Sequence, residues 1–328
     1  MAMEQFEHLV ISSRARLARN LRGIPFYRKM SGYDGERVLS QVKDALKDTD
    51  FTLYTMAELE HDKKRALMEK HLISPDLIKN PFGAAMVSRD EGISIMVGEE
   101  DHLRIQSFKD GLDTEGALLD AMKMDELLQH NLSYAQDSVL GYLTACPTNV
   151  GTGLRVGVMV HLPALTMMGR MRTLQQELSR KGIAVRGMYG EGSGALGQLY
   201  QLSNSVTLGV EEEELARMVK ETAIKVLERE MKLREALMKS ARLELCDRMG
   251  RAYGILCYAH KLNYEEFMTL WSDCMLGAEV LGLSPKGLKE ILTAAQPYQL
   301  TTKEWDEKKP IEERRADVVR RLMAEVKQ

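Results

Sequence analysis

The chain has 328 residues, 44% hydrophobic and 28% charged, with a formal net charge of −3. It is long enough for two domains with substantial cores. A near-neutral balance excludes a general attraction to nucleic acid or an anionic membrane, so any anionic partner must be held by a local cluster of cations.

The opening residues, MAMEQFEHLVISSRARLARN, lack a basic stretch followed by a long apolar run and do not read as a signal peptide. No later segment has the roughly 18 uninterrupted apolar residues of a membrane helix. Cys146, Cys246, Cys257 and Cys274 lack the dense spacing of a disulfide framework, which favours a reducing, cytoplasmic interior.

In chain order, β-branched or alternating runs predict strands at residues 8–12, 51–55, 83–88, 92–98, 102–108, 139–146, 154–162, 183–189 and 201–209. Helical patterns fall at 35–47, 57–71, 113–132 and 164–181. Strand following strand through short connectors favours an antiparallel sheet carrying helices over a purely parallel doubly wound sheet. From Glu211 onward the chain reads as successive amphipathic helices, with turn signals at Leu262-Asn263, Gly282-Leu283-Ser284-Pro285 and Gln296-Pro297. The expected class is α+β, with an antiparallel sheet and flanking helices over 1–235 and an all-helical domain over 236–328. The boundary lies in the charged helix that starts at Glu211.

Four segments concentrate chemistry. Ser12-Ser13-Arg14-Ala15-Arg16 follows the first predicted strand, and in extended backbone Arg14 and Arg16 share a side, where they repel unless an anion lies between them. Taken alone it also reads as a solvated basic edge. Gly98-Glu99-Glu100-Asp101-His102-Leu103-Arg104 joins two strands and is either a charged hairpin tip or a site that holds both a cation and a phosphate.

Cys146-Pro147-Thr148-Asn149-Val150-Gly151-Thr152-Gly153-Leu154-Arg155 is too polar for a core strand; its glycines would let backbone amides approach a charged ligand, and its arginine would fork onto phosphate. An ordinary loop between strands is the plain alternative. Arg186-Gly187-Met188-Tyr189-Gly190-Glu191-Gly192-Ser193-Gly194-Ala195-Leu196-Gly197 reads as a mobile glycine-rich loop. It contains GxGxxG at Gly192, Gly194 and Gly197, but not in the first turn of a βαβ unit, so a dinucleotide fold is disfavoured. The grouping of Cys246, Cys257, His260 and Cys274 lacks a paired CxxC and argues weakly for zinc.

Together, SSRARLARN, GEEDHLRIQ, CPTNVGTGLR and RGMYGEG in this order resemble the catalytic domain of phosphagen (guanidino) kinases, over Ser12 to about Gly209. Within that superfamily the chain is most similar to bacterial protein arginine kinases: it starts almost directly at SSRAR, has RGMYGEG in place of RGTRGEH, and carries a helical C-terminal extension.

The resemblance implies MgATP bound by Ser12, Ser13, Arg14, Ala15 and Arg16, by His71 and Arg104, by Arg155, Val156, Gly157, Val158 and Met159, and by Arg186, Gly187, Met188, Tyr189, Gly190 and Glu191. It implies Glu100 as base and guanidinium anchor, supported by Glu99. Cys146 would steer the acceptor as a thiolate stabilised by that acceptor's charge and by nearby hydroxyls. The family's second loop glutamate aligns with Gly194, and Glu191 is the carboxylate retained nearby.

At the C-terminus, Ile311-Glu312-Glu313-Arg314-Arg315-Ala316 stands where the protein arginine kinases carry an RDxxRA motif for phosphoarginine, so Glu312, Arg315 and Ala316 are the regulatory candidates. Without that likeness, ERRADVVRR is a solvated helix face. The implied partners are proteins carrying exposed arginine, a zinc-finger activator adaptor, Clp chaperone-protease and a second copy of the chain, without direct nucleic acid or membrane. The implied activity is phosphorylation of protein arginine in stress-repressor control and tagging for Clp protease. Alternatives are a kinase of free arginine or another small guanidino compound, and an adaptor that binds phosphoarginine proteins.

Overall fold

The structure is a computed structural model that describes residues 6, 8–188, 195–302 and 309–327. By compactness the chain forms two discontinuous units. The first joins Ser12–Val158 to Ser203–Glu221, and the second joins Met1–Ile11, Met159–Leu202 and Thr222–Gln328. Compactness follows strand pairing, which links residues distant in sequence, and so cuts the chain at other places than composition does.

The first unit contains most of β1 (Val10–Arg19), then α1 (Gly32–Ala45), β2 (Phe51–Thr55), α2 (His61–Glu69), α3 (Pro75–Lys79), β3 (Ala84–Ser88), β4 (Ile93–Val97), β5 (Leu103–Asp110) and α4 (Thr114–Gln129). Its strands run β2-β3-β4-β5-β1, with the start of β8 (Leu154–His161) beyond β1. The neighbours β2–β3, β3–β4, β4–β5 and β5–β1 are antiparallel, and β1 meets β5 with Ser12 opposite Asp110 and Arg19 opposite Leu103. Leu72, Ile73 and Leu77 cover Ala85, Val87 and Met96 on one face of this sheet. Ser31 and Asp34 form a reciprocal capping box at the start of α1, and Asp113 caps α4.

SSRAR lies inside β1 rather than after the first strand. The alternation expected of extended backbone holds: Ser13, Ala15 and Leu17 are buried, whereas Ser12, Arg14 and Arg16 are half-buried on the other side. The predicted strand at 139–146 is replaced by a two-residue hairpin, β6 (Gln136–Asp137) and β7 (Gly141–Tyr142), followed by a 3-10 turn at Pro147–Asn149. The side chain of Asp137 takes the amides of Val139 and Leu140, and this local turn outcompetes an extended ladder.

In the second unit the end of β8 is followed across the sheet by β10 (Leu199–Asn204) and edge strand β9 (Ile183–Gly187). The helix expected at 164–181 is two, α5 (Pro163–Met167) and α6 (Met171–Ser179), because Gly169 adopts φ +65 between them. The long α7 (Glu212–Ser240) leads to α8 (Arg242–Tyr258), α9 (Tyr264–Leu276), α10 (Ala278–Leu281), α11 (Pro285–Ala294), α12 (Gln299–Thr302) and α13 (Ile311–Met323).

The turn signals of the sequence are caps. Asn263 caps α9, and Ser284 caps α11 with Pro285 at its first position. Trp271 centres this core, fully buried, and donates its indole N–H to Leu288 O at 2.7 Å. No described helix is long and apolar enough to cross a membrane.

Candidate active site

The half-buried face of β1 carries a concentration of positive charge. Arg14 feels Arg155 and Arg104, and Arg16 feels Arg104, Arg14 and Arg155, opposed in part by Glu99. Burial first, and these neighbouring guanidiniums second, lower Arg14 from its usual value to about 10 and hold Arg16 well below the arginine range. Arg14 and Arg16 hydrogen-bond to no described residue.

Like charges gathered with only partial compensation favour an anion, and forked guanidiniums suit phosphate. His71 joins this cluster, at φ +60 beyond α2, with its ring lowered to about 4 by burial and by Arg14. The Gln106 side chain fixes it by donating to His71 O at 2.9 Å.

Alternation buries other candidate side chains. Ser13 turns inward, donating to Gly111 O at 2.8 Å and accepting from Asp113 N at 3.0 Å, and Ala15 is fully buried. On β8, Arg155 is half-buried, but Val156, Gly157, Val158 and Met159 are strand interior.

The acidic turn between β4 and β5 closes through Gly98, at φ +73, whose amide donates to His102 O at 2.9 Å. Arg104 is held here, with Nη1 2.7 Å from a Glu99 oxygen and Nη2 on Glu100 Oε2. Glu99 is buried and Glu100 exposed. The turn therefore already holds a guanidinium, the group an acceptor arginine would present.

Asp101 was missed by sequence reasoning. Its Oδ1 accepts from Ala145 N at 2.7 Å and from Asn20 Nδ2 at 2.8 Å, so one buried carboxylate ties the Glu100 turn to the backbone beside Cys146. Asn20 in turn accepts from His102 N at 2.9 Å. A lone Asp in a charged run carries no sequence signal of such a bond.

Cys146 is half-buried, with Sγ 3.1 Å from Thr148 Oγ1. The turn after it uses its amides internally: Asn149 N donates to Cys146 O, Gly151 N to Tyr142 O and Thr152 N to Thr207 O. Its glycines accordingly serve chain against chain, not chain against ligand. Gly151 has φ +111, and a Cβ there would lie 2.2 Å from Thr207 O; at Gly153, with φ +64, it would lie 2.6 Å from Ala18 O. Thr207, also missed, donates through Oγ1 to Thr148 O at 3.0 Å and Val150 O at 2.8 Å.

Arg14, Arg16, His71, Glu99, Glu100, Arg104, Cys146 and Arg155 thus belong to the first unit. Arg186 and Gly187 are half-buried in β9, and Met188 packs against the second unit's core. Tyr189, Gly190, Glu191 and Gly194 lie outside the described residues.

In α13, Glu312 pairs with Lys261, Arg315 donates to Ala295 O at 3.0 Å and Leu262 O at 2.9 Å, and Ala316 is fully buried. Arg315 is therefore a buried cap on carbonyls, in contrast to the solvated face that composition suggests. The four cysteines are free, and no group of three metal-ligating side chains occurs among the described residues.

The model of the ATP:guanido phosphotransferase C-terminal catalytic domain matches residues 35–233, and that of the protein-arginine kinase McsB C-terminal domain matches 242–328. A protein-arginine kinase of Caldanaerobacter subterraneus subsp. tengcongensis is 44% identical over 301 residues, 89% of this chain and 89% of that protein. One from Symbiobacterium thermophilum is 44% identical over 326 residues, 95% of this chain and 92% of that one. A crystal structure of lombricine kinase shares the fold, with TM-score 0.63 and 23% identity over 70% of this chain and 68% of that chain. With a guanido phosphotransferase catalytic domain followed by the C-terminal domain of the arginine-specific branch, the chain belongs to the protein-arginine kinases.

Proposed function

We propose that the arginine cluster and the two turns form the transfer site for the γ-phosphoryl group of ATP. The observation that carries this reading is Arg14 and Arg16, two guanidiniums kept near Arg104 and Arg155 with no described partner. A polyphosphate supplies the missing charge, and bidentate arginines fix its orientation for in-line attack. No described carboxylate cluster offers a protein cage for a cation, so Mg²⁺ would arrive on the phosphates and there neutralise developing charge.

The acceptor's guanidinium would take the place of Arg104 on Glu100 as the phosphates draw Arg104 away. Its nitrogen attacks the γ-phosphorus, the N–P bond forms as the P–O bond to ADP breaks, and Glu100 receives the nitrogen's proton. Glu99 adds negative charge that discriminates against neutral acceptors. Cys146, braced by Thr148, orients the acceptor without forming a covalent phosphoenzyme.

The same reading assigns residues 1–235 to catalysis and 236–328 to a helical domain for dimerisation and regulation. It places the enzyme in the cytoplasm, in stress response and proteolysis, with a zinc-finger activator and Clp machinery as partners. The family resemblance assigns Arg186, Gly187, Met188, Tyr189, Gly190 and Glu191 to the nucleotide as well.

Incubation with MgATP and an arginine-rich protein or free arginine, followed by assay of acid-labile phosphate on each, tests the activity. Label on the protein is expected, and label on free arginine alone would overturn the assignment. Glu100→Ala and Cys146→Ala should each reduce turnover at least about 100-fold. Full activity in either variant refutes its role.

A further inference from the structure

Several exposed apolar side chains of the first unit sit on the loops that brace the acceptor turns. Phe26 is 37% exposed, and its ring meets that of His102 edge-on at 6.4 Å. His102, two residues after Glu100, is fixed by accepting from Leu21 N at 2.9 Å and donating to Pro25 O at 2.8 Å. Phe82, 52% exposed, donates its amide to Asn80 Oδ1 at 3.0 Å, and Asn80 Nδ2 donates to Gly98 O at 2.6 Å, immediately before Glu99. Two aromatic rings are thus carried by the supports of the Glu99-Glu100 turn.

On the other turn, Val206 and Leu208 are 43% and 51% exposed and flank Thr207, the residue bonded to Thr148 O and Val150 O below Cys146. A single exposed apolar residue needs no explanation. Four on the supports of two turns that Asp101 ties together, one of them holding a guanidinium, call for an occupant.

The occupant follows from charge and connectivity. Glu99 and Glu100 hold the Arg104 guanidinium, so the turn is complementary to an arginine side chain. When that arginine belongs to a polypeptide, its neighbours continue on both sides at roughly 3.3 Å per residue, so the residues beside the arginine meet the protein surface around the turn.

We propose that Phe26, Phe82, Val206 and Leu208 form an apolar collar that reads the residues flanking the acceptor arginine. The favoured substrate is an extended segment with apolar or aromatic side chains one or two positions from the arginine. This rests on the assignment of Glu100 and Cys146 to the acceptor site.

The test compares two short peptides with one arginine each, flanked either by Leu and Phe or by Gly and Ser, with initial rates of acid-labile phosphate formation on the full chain. The apolar-flanked peptide should have a kcat/KM at least about 5-fold higher, carried by KM, as expected for partial burial of one or two side chains. The paired variants Phe26→Ser with Phe82→Ser, and Val206→Ser with Leu208→Ser, should each shrink that ratio. Phe26→Leu with Phe82→Leu should keep it, which separates loss of the collar from loss of the fold. Leu119→Ser, on the exposed face of α4, should retain it as well.

Equal kcat/KM for the two peptides on the unaltered chain, or an undiminished ratio in both serine pairs, overturns the collar. Failure of the underlying site assignment looks different: Glu100→Gln would phosphorylate both peptides at the unaltered rate.

Discussion

Arg14 and Arg16 share β1 with Arg19, and all three belong to one motif, yet the fold treats them in opposite ways. Arg19 faces inward, with Nη2 2.6 Å from Asp125 Oδ2, Nη1 donating to Ala18 O and Thr152 O at 2.9 Å each, and its guanidinium 3.5 Å from the centre of the Tyr142 ring. Arg315, far along the chain, is likewise absorbed by two carbonyls. Arg14 and Arg16 have one another and further guanidiniums around them, with Glu99 near Arg16 as partial compensation and no hydrogen-bond acceptor among the described residues. An arginine is scaffold where the fold supplies its acceptors, and ligand-facing where the fold withholds them.

Arg19→Met should break this contrast most severely, since it leaves Asp125 buried and unpaired at a cost of about 3–5 kcal/mol. Urea unfolding would measure it, and a loss below about 1 kcal/mol would show that Arg19 is not scaffold. The complementary change, Arg14→Gln, should lower phosphoryl transfer about 100- to 1000-fold while stability holds or rises, because like-charge repulsion is relieved. Parallel loss of melting temperature and activity would place Arg14 with Arg19. Arg315→Met strands two buried carbonyls and should destabilise by about 1–3 kcal/mol. An unchanged urea midpoint would remove Arg315 from the scaffold class.

The smallest effect belongs to His71, lowered to about 4 by burial and by Arg14. An unfolded histidine titrates near 6.5, so between the two values the unfolded chain binds a proton that the folded chain refuses. Its contribution is complete above pH 6.5 and is lost as pH falls through about 4. His71→Asn, which tolerates φ +60, should reduce the steepness of that loss by one histidine's share, with the other lowered histidines, His8, His102 and His161, still acting. An unchanged dependence of stability on pH between 7 and 5 would contradict the burial of His71 beside the arginine cluster.

Much of the site was legible because its chemistry is concentrated in short segments. EEDHLR and CPTNVGTGLR each pack several unlike functional groups into a turn, and the hairpin of β4 and β5 is announced by alternating apolar residues around Gly98. The parts that escaped depend on long-range bonds. Asp101 reads as one more surface charge until Ala145 and Asn20 are brought to it, and Thr207 as an ordinary loop residue until Thr148 and Val150 arrive. The false strand at 139–146 has suitable β-formers, but propensity ignores the Asp137 side chain that turns the backbone.

The sequence by itself determined that this is an α+β chain of guanido-phosphotransferase kind, where its arginines and carboxylates cluster, and where turns separate the C-terminal helices. Those properties are local: periodicity, cap residues and motif spacing are written within a few residues of one another. Only the tertiary structure decided which arginine of β1 is spent on the core and which is left without a hydrogen-bond partner among the described residues. It alone also revealed that the glycines after Cys146 make room for Thr207 and Ala18, and that Asp101 couples the two turns. Those outcomes depend on which distant backbone and side-chain groups arrive to satisfy or crowd a residue, and no stretch of sequence carries that information alone.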